Sequence, residues 1–307
     1  MLIAHKLTTV ICRKNIMFAI GLVTLLAAAT QVAAFPGPSK SEHPYSLLER
    51  STCSPRPKGL WQPVVGVSWN YQLGQPVTTP ANIPSTPKVW DIDLFDNTAA
   101  NIKAMKNKGH KVICYFSAGS YEDWRPDASN FSASDLGNDL DGWPGEKWLD
   151  IGSQNVRNIM KSRLDLAVKK GCDGVDPDNV DGYDNDNGLG LTDDDSINYM
   201  IFLANQAHGR NLSIGLKNAG DIIDGVIDCM EWSVNEECVA YDECDTYAAF
   251  IQHDKPVFHV EYPKGTDKSN NNPVSSKTQK KFCENSEEGG FSTILKNINL
   301  DDWIVTC

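Results

Sequence analysis

Short apolar segments alternate with longer helical segments from Trp61 to the C-terminal region of the chain. This alternation is typical of a parallel sheet covered by helices, because each parallel strand needs a crossover connection. Eight strands are predicted, at 64–69, 89–94, 111–116, 173–177, 212–216, 231–234, 256–262 and 293–295. Helices are predicted at 97–108, 156–168, 196–206, 246–252 and 278–284. Eight strands in roughly 235 residues predict an α/β fold, a single-domain (β/α)8 TIM barrel.

The alternative with the same alternation is an open, doubly wound sheet. That fold commonly binds dinucleotides through a G-x-G-x-x-G segment after an early strand. No such segment follows an early strand in this sequence. The closed barrel is therefore favoured.

The N-terminal part of the chain has the layout of a secretory signal peptide at residues 1–34. Lys6, Arg13 and Lys14 precede an apolar run over 16–29, and small residues follow at 32–34. The run is too short to favour a membrane span, although an uncleaved signal anchor is the alternative. Residues 35–58 are rich in proline and polar residues and predict a linker or flexible arm. The barrel domain is then 59–307, in a secreted protein.

The charge of the secreted chain is strongly acidic. Removal of the signal takes away three basic residues and no acid, so the net charge of −12 becomes −15. This charge argues against nucleic acid and anionic membranes as partners, and it suits a cationic substrate. Solubility outside the cell is the simpler explanation of the same charge. We expect a monomer.

Eight of the nine cysteines remain after signal removal, and their even number fits disulfide bonds in an exported protein. The spacing does not determine the pairing. We expect a local Cys238–Cys244 bond and a Cys53–Cys307 bond between the ends, with Cys114 and Cys172 as buried thiols. Asn130 and Asn211 begin glycosylation acceptor sequences.

Two carboxylates stand at predicted strand ends, where barrel active sites form. Asp178 follows the fourth strand and Glu236 follows the sixth, so a closed barrel would direct both to one cleft. Glycoside hydrolysis needs one protonated and one ionised carboxyl group on either side of the scissile bond. Taken singly, each acid is more often a solvated loop residue. Aromatic side chains that could stack on sugar rings are Trp69, Tyr121, Trp124, Tyr183 and Tyr262.

The sequence resembles glycoside hydrolase family 114, the endo-α-1,4-polygalactosaminidases, in a fungal form. The resemblance runs in order from about Trp61 to near the C-terminus. The motifs that carry it are WDIDLFD, VICYFSAGSYEDWRPD, GCDGVDPDNVDGY, GLKNAGD, SVNEEC and PVFHVEY. It implies a TIM barrel that hydrolyses α-1,4-linked galactosamine in a cationic, partly deacetylated secreted polysaccharide. Nothing in the sequence suggests a cofactor, and we expect no metal.

The resemblance places the two catalytic acids on Asp178 and Glu236. A shift of register would replace them with Asp176 or Glu237. Lys217 is expected to pair with Asp178 and keep it ionised, which favours Asp178 as nucleophile and Glu236 as acid/base. The other expected substrate-binding residues are Asp93, Tyr121, Trp124, Asp176, Asp181, Glu261 and Tyr262.

Three alternatives stay open. The acids between Asp176 and Asp195 could bind calcium, although they do not match the register of a D-x-[DN]-x-[DN]-G loop. The barrel could bind glycans without cleaving them. It could also be another α-glycosidase, such as an α-galactosidase.

Overall fold

The computed structural model describes residues 52–78, 83–266, 270–287 and 289–307. The predicted signal peptide and most of the predicted arm lie outside these ranges. Within them, none of the helices combines the length and apolar character that a membrane crossing requires.

Eight parallel strands form the barrel wall, and they adjoin one another in chain order. A ninth strand, β12 (Ile304–Thr306), pairs antiparallel with the last of them. The (β/α)8 prediction is confirmed. The eight parallel strands are β1 (Trp69–Gln72), β2 (Val89–Asp93), β3 (Lys111–Ser117), β7 (Gly174–Asp178), β8 (Ser213–Lys217), β9 (Trp232–Glu236), β10 (Val257–Glu261) and β11 (Ser292–Lys296).

The first strand lies later in the chain than 64–69. Val64 and Val65 are 68% and 38% exposed. The N–H of Val67 donates to the carbonyl of Val64, which closes a turn around Gly66 at φ +76°. An apolar run therefore misled the prediction, because its first residues face solvent.

Helices connect the strands on the outside of the barrel. Ser153 caps α2 by accepting from the N–H groups of Asn155 and Val156, and Gly171 ends that helix in the left-handed conformation. Thr192 and Asp195 form a capping box at the start of α3. The predicted helices are all present. The helix bounds are α1 (Ala99–Asn107), α2 (Gln154–Lys170), α3 (Asp193–His208), α4 (Ile223–Val226), α5 (Cys238–Tyr241), α6 (Cys244–Gln252) and α7 (Ser276–Glu287).

The long aromatic segment after β3 folds as a small antiparallel sheet. Its strands are β4 (Ser120–Glu122), β5 (Leu136–Asp139) and β6 (Glu146–Leu149), with β6 in the centre. This insertion begins at the carboxyl end of β3 and returns to the barrel through α2. It is therefore placed beside the end of the barrel that carries active sites.

Large aromatic side chains fill the barrel interior. Trp69 stacks on Phe258 with ring centroids 5.1 Å apart, and Trp232 lies 6.2 Å from the same ring. Gly174 and Gly215 face Trp232, and a Cβ at either position would lie within 2.6 Å of its indole ring. The two glycines thus make room for a side chain that closes the interior below the strand ends.

Side chains complete the ring between the first and last parallel strands. The indole N–H of Trp69 donates to the carbonyl oxygen of Ser292 at 2.7 Å. The ammonium of Lys296 donates to Oδ1 of Asn70 at 3.2 Å. Trp69 is 1% exposed, so its predicted role as a sugar-stacking residue is wrong.

The described cysteines form four disulfide bonds. Cys238–Cys244 confirms the local pair. The expected Cys53–Cys307 bond is wrong, and so is the expectation that Cys114 and Cys172 are free thiols. The other bonds are Cys53–Cys229, Cys114–Cys172 and Cys283–Cys307.

The described end of the predicted linker, residues 52–58, is attached to the barrel. Cys53 is bonded to Cys229, and the guanidinium of Arg56 donates to Glu231 at 2.6 Å. The N–H of Ser54 donates to the side chain of Asn205 at 2.7 Å. These contacts hold residues 52–58 against the ends of α3 and β9, so this part of the arm is not free.

Candidate active site

Three adjacent strands end in charged side chains that meet inside the barrel mouth. Asp178 is the last residue of β7, Lys217 of β8 and Glu236 of β9. Side chains alternate between the two faces of a strand. A last residue that lies two positions after an inward-facing residue therefore also faces the barrel interior. Parallel pairing of these three neighbours brings their ends together.

Lys217 lies between the two carboxylates. Its Nζ is 3.0 Å from Oδ1 of Asp178 and 2.7 Å from Oε2 of Glu236. Although burial disfavours its charge, the nearby carboxylates of Asp178 and Glu236 hold the pKa of Lys217 well above its usual value. The predicted pairing with Asp178 is present. The lysine is shared with Glu236, however, so it does not distinguish the nucleophile from the acid/base.

Each carboxylate also accepts a hydrogen bond from a tyrosine. The hydroxyl of Tyr115 donates to Oδ2 of Asp178 at 2.7 Å, and the hydroxyl of Tyr262 donates to Oε1 of Glu236. Burial and then the adjacent carboxylate raise the pKa of both tyrosines well above the usual value. Both hydroxyls therefore stay protonated and act as donors.

The residue after each of the three charged side chains has a left-handed backbone. The φ angles are +60° at Asn179, +49° at Asn218 and +64° at Glu237. Asparagine tolerates this conformation, whereas a glutamate there is uncommon and costs energy. The sharp turns end the strands directly after the charged residues. In addition, the N–H of Glu236 donates to Oδ1 of Asn218 at 2.9 Å, which joins two of these turns.

A cleft opens above the charged cluster. It encloses about 390 Å³ of unoccupied space, part of it continuous with solvent. The cleft is lined by Tyr71, Tyr115, Trp143, Glu146, Asp178, Asn179, Lys217, Glu236, Ile298 and Leu300.

Asp93 does not reach this cleft, contrary to expectation. Its Oδ2 is paired with the guanidinium of Arg125 at 2.8 Å, and its Oδ1 accepts from the N–H groups of Phe95 and Asp96. Arg125 also binds Glu122 through two contacts of 2.7 Å. Asp93 therefore anchors the insertion to β2.

Glu261 is likewise a buried anchor and does not line the cleft. Its Oε1 accepts from the N–H of Val239 at 2.7 Å and from Ala240 at 3.2 Å, and it is 3.0 Å from Nε2 of His259. These contacts hold α5, which begins two residues after Glu236. Glu261 can thus position the strand end without touching a ligand.

The other predicted stacking residues lie away from the cleft lining. Tyr121 packs edge-on against Phe131, with ring centroids 5.6 Å apart. Trp124 is 51% exposed on the turn after β4. Asp181 precedes a short helical turn, Gly182–Asp184, that contains Tyr183. Of the predicted ring-binding side chains, only Tyr262 contacts a charged residue of the cluster.

Asp176 lies one inward position below Asp178 and is fully buried beside Asp91. Among the described residues, neither carboxyl group has a hydrogen-bond donor. Burial raises the pKa of Asp176 to about 7, despite the opposing charge of Lys217. Burial and the adjacent Asp176 raise the pKa of Asp91 well above its usual value. The pair is best described as sharing a proton.

Two of the acids that suggested a calcium loop have local partners. Asp195 caps α3, and Oδ1 of Asp186 accepts from Asn138 at 3.0 Å. Within the described ranges, the side chains grouped closely enough to hold a metal are Cys238, Cys244 and His259. The two cysteines form a disulfide bond and are not available as thiolate ligands.

Several lining residues were not predicted from the sequence. Tyr115 could have been found, because it lies two residues after Ile113 on β3 and both pack in the barrel interior with Trp69. Glu146 and Trp143 come from the insertion, and no strand-end argument reaches them. Ile298 and Leu300 follow β11, and Tyr71 was missed because β1 was placed too early.

Comparison with known proteins identifies the fold and the family. The family model described as glycoside hydrolase family GH114 matches residues 50–307. Among solved structures, Aspergillus fumigatus Ega3 in complex with galactosamine is 57% identical, with a TM-score of 0.78, covering 80% of this chain and 97% of that one. No curated protein matches significantly.

Two more distant structures agree on the fold. The glycoside hydrolase domain of PelA from Pseudomonas aeruginosa is 12% identical, with a TM-score of 0.62, covering 78% of this chain and 98% of that one. The α-galactosidase of Thermus thermophilus in complex with stachyose is also 12% identical, with a TM-score of 0.50, covering 79% and 64%. At this identity the likeness concerns the fold alone. The family match over the whole described barrel shows that this chain belongs to glycoside hydrolase family 114 and is a glycosidase.

Proposed function

We propose that this protein is a secreted, endo-acting hydrolase of α-1,4-galactosaminidic bonds in a cationic galactosamine-containing polysaccharide. The observation that carries the proposal is the sharing of Lys217 by Asp178 and Glu236 at the floor of the cleft. Two close carboxyl groups at the carboxyl ends of barrel strands are the equipment of a glycosidase. The similar Ega3 structure holds galactosamine, which supports the same sugar here.

The proposed mechanism has two steps with Asp178 as nucleophile and Glu236 as acid/base. A carboxylate oxygen of Asp178 bonds to the anomeric carbon while protonated Glu236 gives its proton to the departing glycosidic oxygen. Glu236, now ionised, then takes a proton from a water molecule, whose oxygen displaces Asp178 from the sugar. Tyr115 and Tyr262 orient the two carboxyl groups, and Lys217 stabilises whichever of them is ionised.

Secretion is supported by the layout of residues 1–34 and by the four disulfide bonds of the described chain. The acidic net charge suits a substrate that carries ammonium groups. Endo-action is proposed from the resemblance of the sequence motifs to those of the endo-α-1,4-polygalactosaminidases.

The decisive experiment measures reducing ends and viscosity when the purified protein acts on polymeric α-1,4-galactosamine. We expect new reducing ends and an early fall in viscosity, as internal cleavage produces. Asp178→Asn and Glu236→Gln, which are nearly isosteric and cannot ionise, should each lower turnover at least about a thousandfold. Binding of the polymer without any release of reducing ends would instead indicate a glycan-binding protein. Equal rates on a neutral galactan would indicate another α-glycosidase.

A further inference from the structure

We propose that Glu146, on the inserted sheet, is the residue that binds the ammonium group of an amino sugar in the cleft. This inference rests on the proposed function and names its specificity determinant. Glu146 belongs to β6, whereas Asp178, Lys217 and Glu236 all come from barrel strands. It was not among the residues expected from the sequence to bind the cation.

The carboxyl group of Glu146 is held in place on one side. It lines the cleft although the residue is only 4% exposed. Its Oε2 accepts from the hydroxyl of Ser120 at 2.7 Å, and Ser120 is linked to Ser117 at 2.6 Å and to Asn179 at 3.0 Å. Asn179 follows Asp178 directly, so this network joins Glu146 to the catalytic strand. Its Oε1 meets no donor among the described residues, which leaves that oxygen for a ligand.

The cations near Glu146 already have other partners. Arg125 is bound to Glu122 and Asp93 at 2.7 and 2.8 Å. Lys217 is shared by Asp178 and Glu236. Within the described residues, Glu146 therefore belongs to no ion pair, and its cross-strand neighbour in the sheet is another acid, Glu122.

A buried carboxylate without a counter-ion is costly, so it gains either a proton or a cation. Burial, followed by the charges of Glu122 and Asp178, raises the pKa of Glu146 to about 8. An ammonium group in the cleft would supply the missing charge and a charge-assisted hydrogen bond. Binding then releases the Glu146 proton to solvent and leaves a carboxylate paired with an ammonium.

Charged and titratable groups face Glu146 from the inserted sheet, from β7 and from across the cleft. Glu122 and Arg125 lie on the inserted sheet side and Asp178 on β7. Across the cleft are Lys217 and Glu236, with the hydroxyls of Tyr71 and Tyr115. Of these, the acids favour a cation at Glu146, and the two basic groups are engaged elsewhere. An N-acetylated sugar carries no charge and would gain no such pairing.

The test compares wild type with Glu146→Gln in binding galactosamine and N-acetylgalactosamine, neither of which has a glycosidic bond to cleave. Calorimetry in two buffers of different ionisation enthalpy, at about pH 6.5, counts the protons exchanged on binding. We expect wild type to release about one proton with the amino form, and none with the N-acetylated form. Glu146→Gln should release none and bind the amino form at least about tenfold more weakly, with little change for the N-acetylated form.

The control is Asp141→Asn, which removes an exposed acid from the β5–β6 connection and should leave both affinities unchanged. The proton count in wild type needs no variant, so it tests the proposal even if Glu146→Gln fails to fold. If wild type cleaves the polymer normally but releases no proton on binding, the role of Glu146 is wrong and the proposed function stands. The same holds if Glu146→Gln weakens the binding of both sugars equally. If wild type neither binds nor cleaves galactosamine oligomers, the proposed function itself fails.

Discussion

Oδ1 of Asp178 and Oε2 of Glu236 lie no more than 5.7 Å apart, because one ammonium contacts them at 3.0 and 2.7 Å. Without Lys217 between them, two carboxylates this close would repel strongly. The arrangement depends on three adjacent strands that end at the same level of the barrel. It also bears on stereochemistry, because the carboxyl separation differs between the two classes of glycosidase.

We predict that the enzyme retains the anomeric configuration. Retaining enzymes have carboxyl groups about 5–5.5 Å apart, and inverting enzymes about 6.5–9.5 Å apart to leave room for a water molecule. Proton NMR of the first product, before mutarotation, should show the α-anomer. An initial β-anomer would mean that water attacks directly and that the cleft rearranges on binding.

Chemical rescue should distinguish the two carboxylates. In Asp178→Ala, azide can occupy the place of the nucleophile, and we expect a β-glycosyl azide. In Glu236→Ala, azide can displace the sugar from Asp178, and we expect an α-glycosyl azide. The substrate should carry an activated leaving group, so that the acid is not needed in the first step. The opposite pair of anomers would exchange the two roles.

Lys217→Met should lower turnover by at least about a hundredfold and move the pH optimum to higher pH. The pKa of Lys217 is raised, so it is charged throughout the neutral range. Its removal disfavours ionised carboxylates nearby, and ionisation then requires a higher pH. Lys147→Met, which removes a partly exposed lysine on β6, is the control and should keep the wild-type profile. An unshifted optimum in folded Lys217→Met would contradict the electrostatic role.

The buried pair of Asp91 and Asp176 should make stability fall as pH rises. The folded-state pKa of Asp176 is raised to about 7, above that of the unfolded chain. Its contribution is therefore complete at low pH and is lost as pH rises through about 7, at up to about 1.4 kcal/mol per pH unit. Urea unfolding of wild type and Asp176→Asn between pH 5 and 8 should show a smaller loss in the variant. Parallel curves would mean that the pair does not share a proton.

The Cys53–Cys229 bond should stabilise the fold more than the Cys238–Cys244 bond does. It joins residues 176 apart, whereas Cys238–Cys244 joins residues six apart. Loop-closure entropy gives about 5 and about 2 kcal/mol, respectively. Replacing both cysteines by serine should lower the melting temperature by at least about 10 °C in the first case and clearly less in the second. Because Cys238 begins α5 beside Glu236, the second variant should lose more activity than its stability loss explains.

The locally encoded features were predictable. The alternation of apolar and helical segments predicted the bounds of the eight parallel strands within a few residues, except those of β1. The strand-end argument placed Asp178, Lys217 and Glu236 together, because the position of a residue at a strand end depends on local sequence. Predicting this cluster required only that the barrel close, and no other contact between distant residues.

The partners of acidic residues at the insertion could not be predicted from local sequence. Asp93 and Glu146 are both acids, and the sequence favoured Asp93 as a ligand for a cation. In the structure Arg125 neutralises Asp93, and Glu146 receives no such partner among the described residues. Which acid meets the arginine depends on how the small sheet folds back on β2.

By itself, the sequence determined the barrel, the family and the location of Asp178 and Glu236 at strand ends, because periodicity, strand ends and motifs depend on consecutive residues. The tertiary structure alone decided the pairing of the cysteines, the sharing of Lys217 and the placement of Glu146 in the cleft. These depend on distances between segments far apart in the chain, which are fixed only when strand register and side-chain packing are settled together.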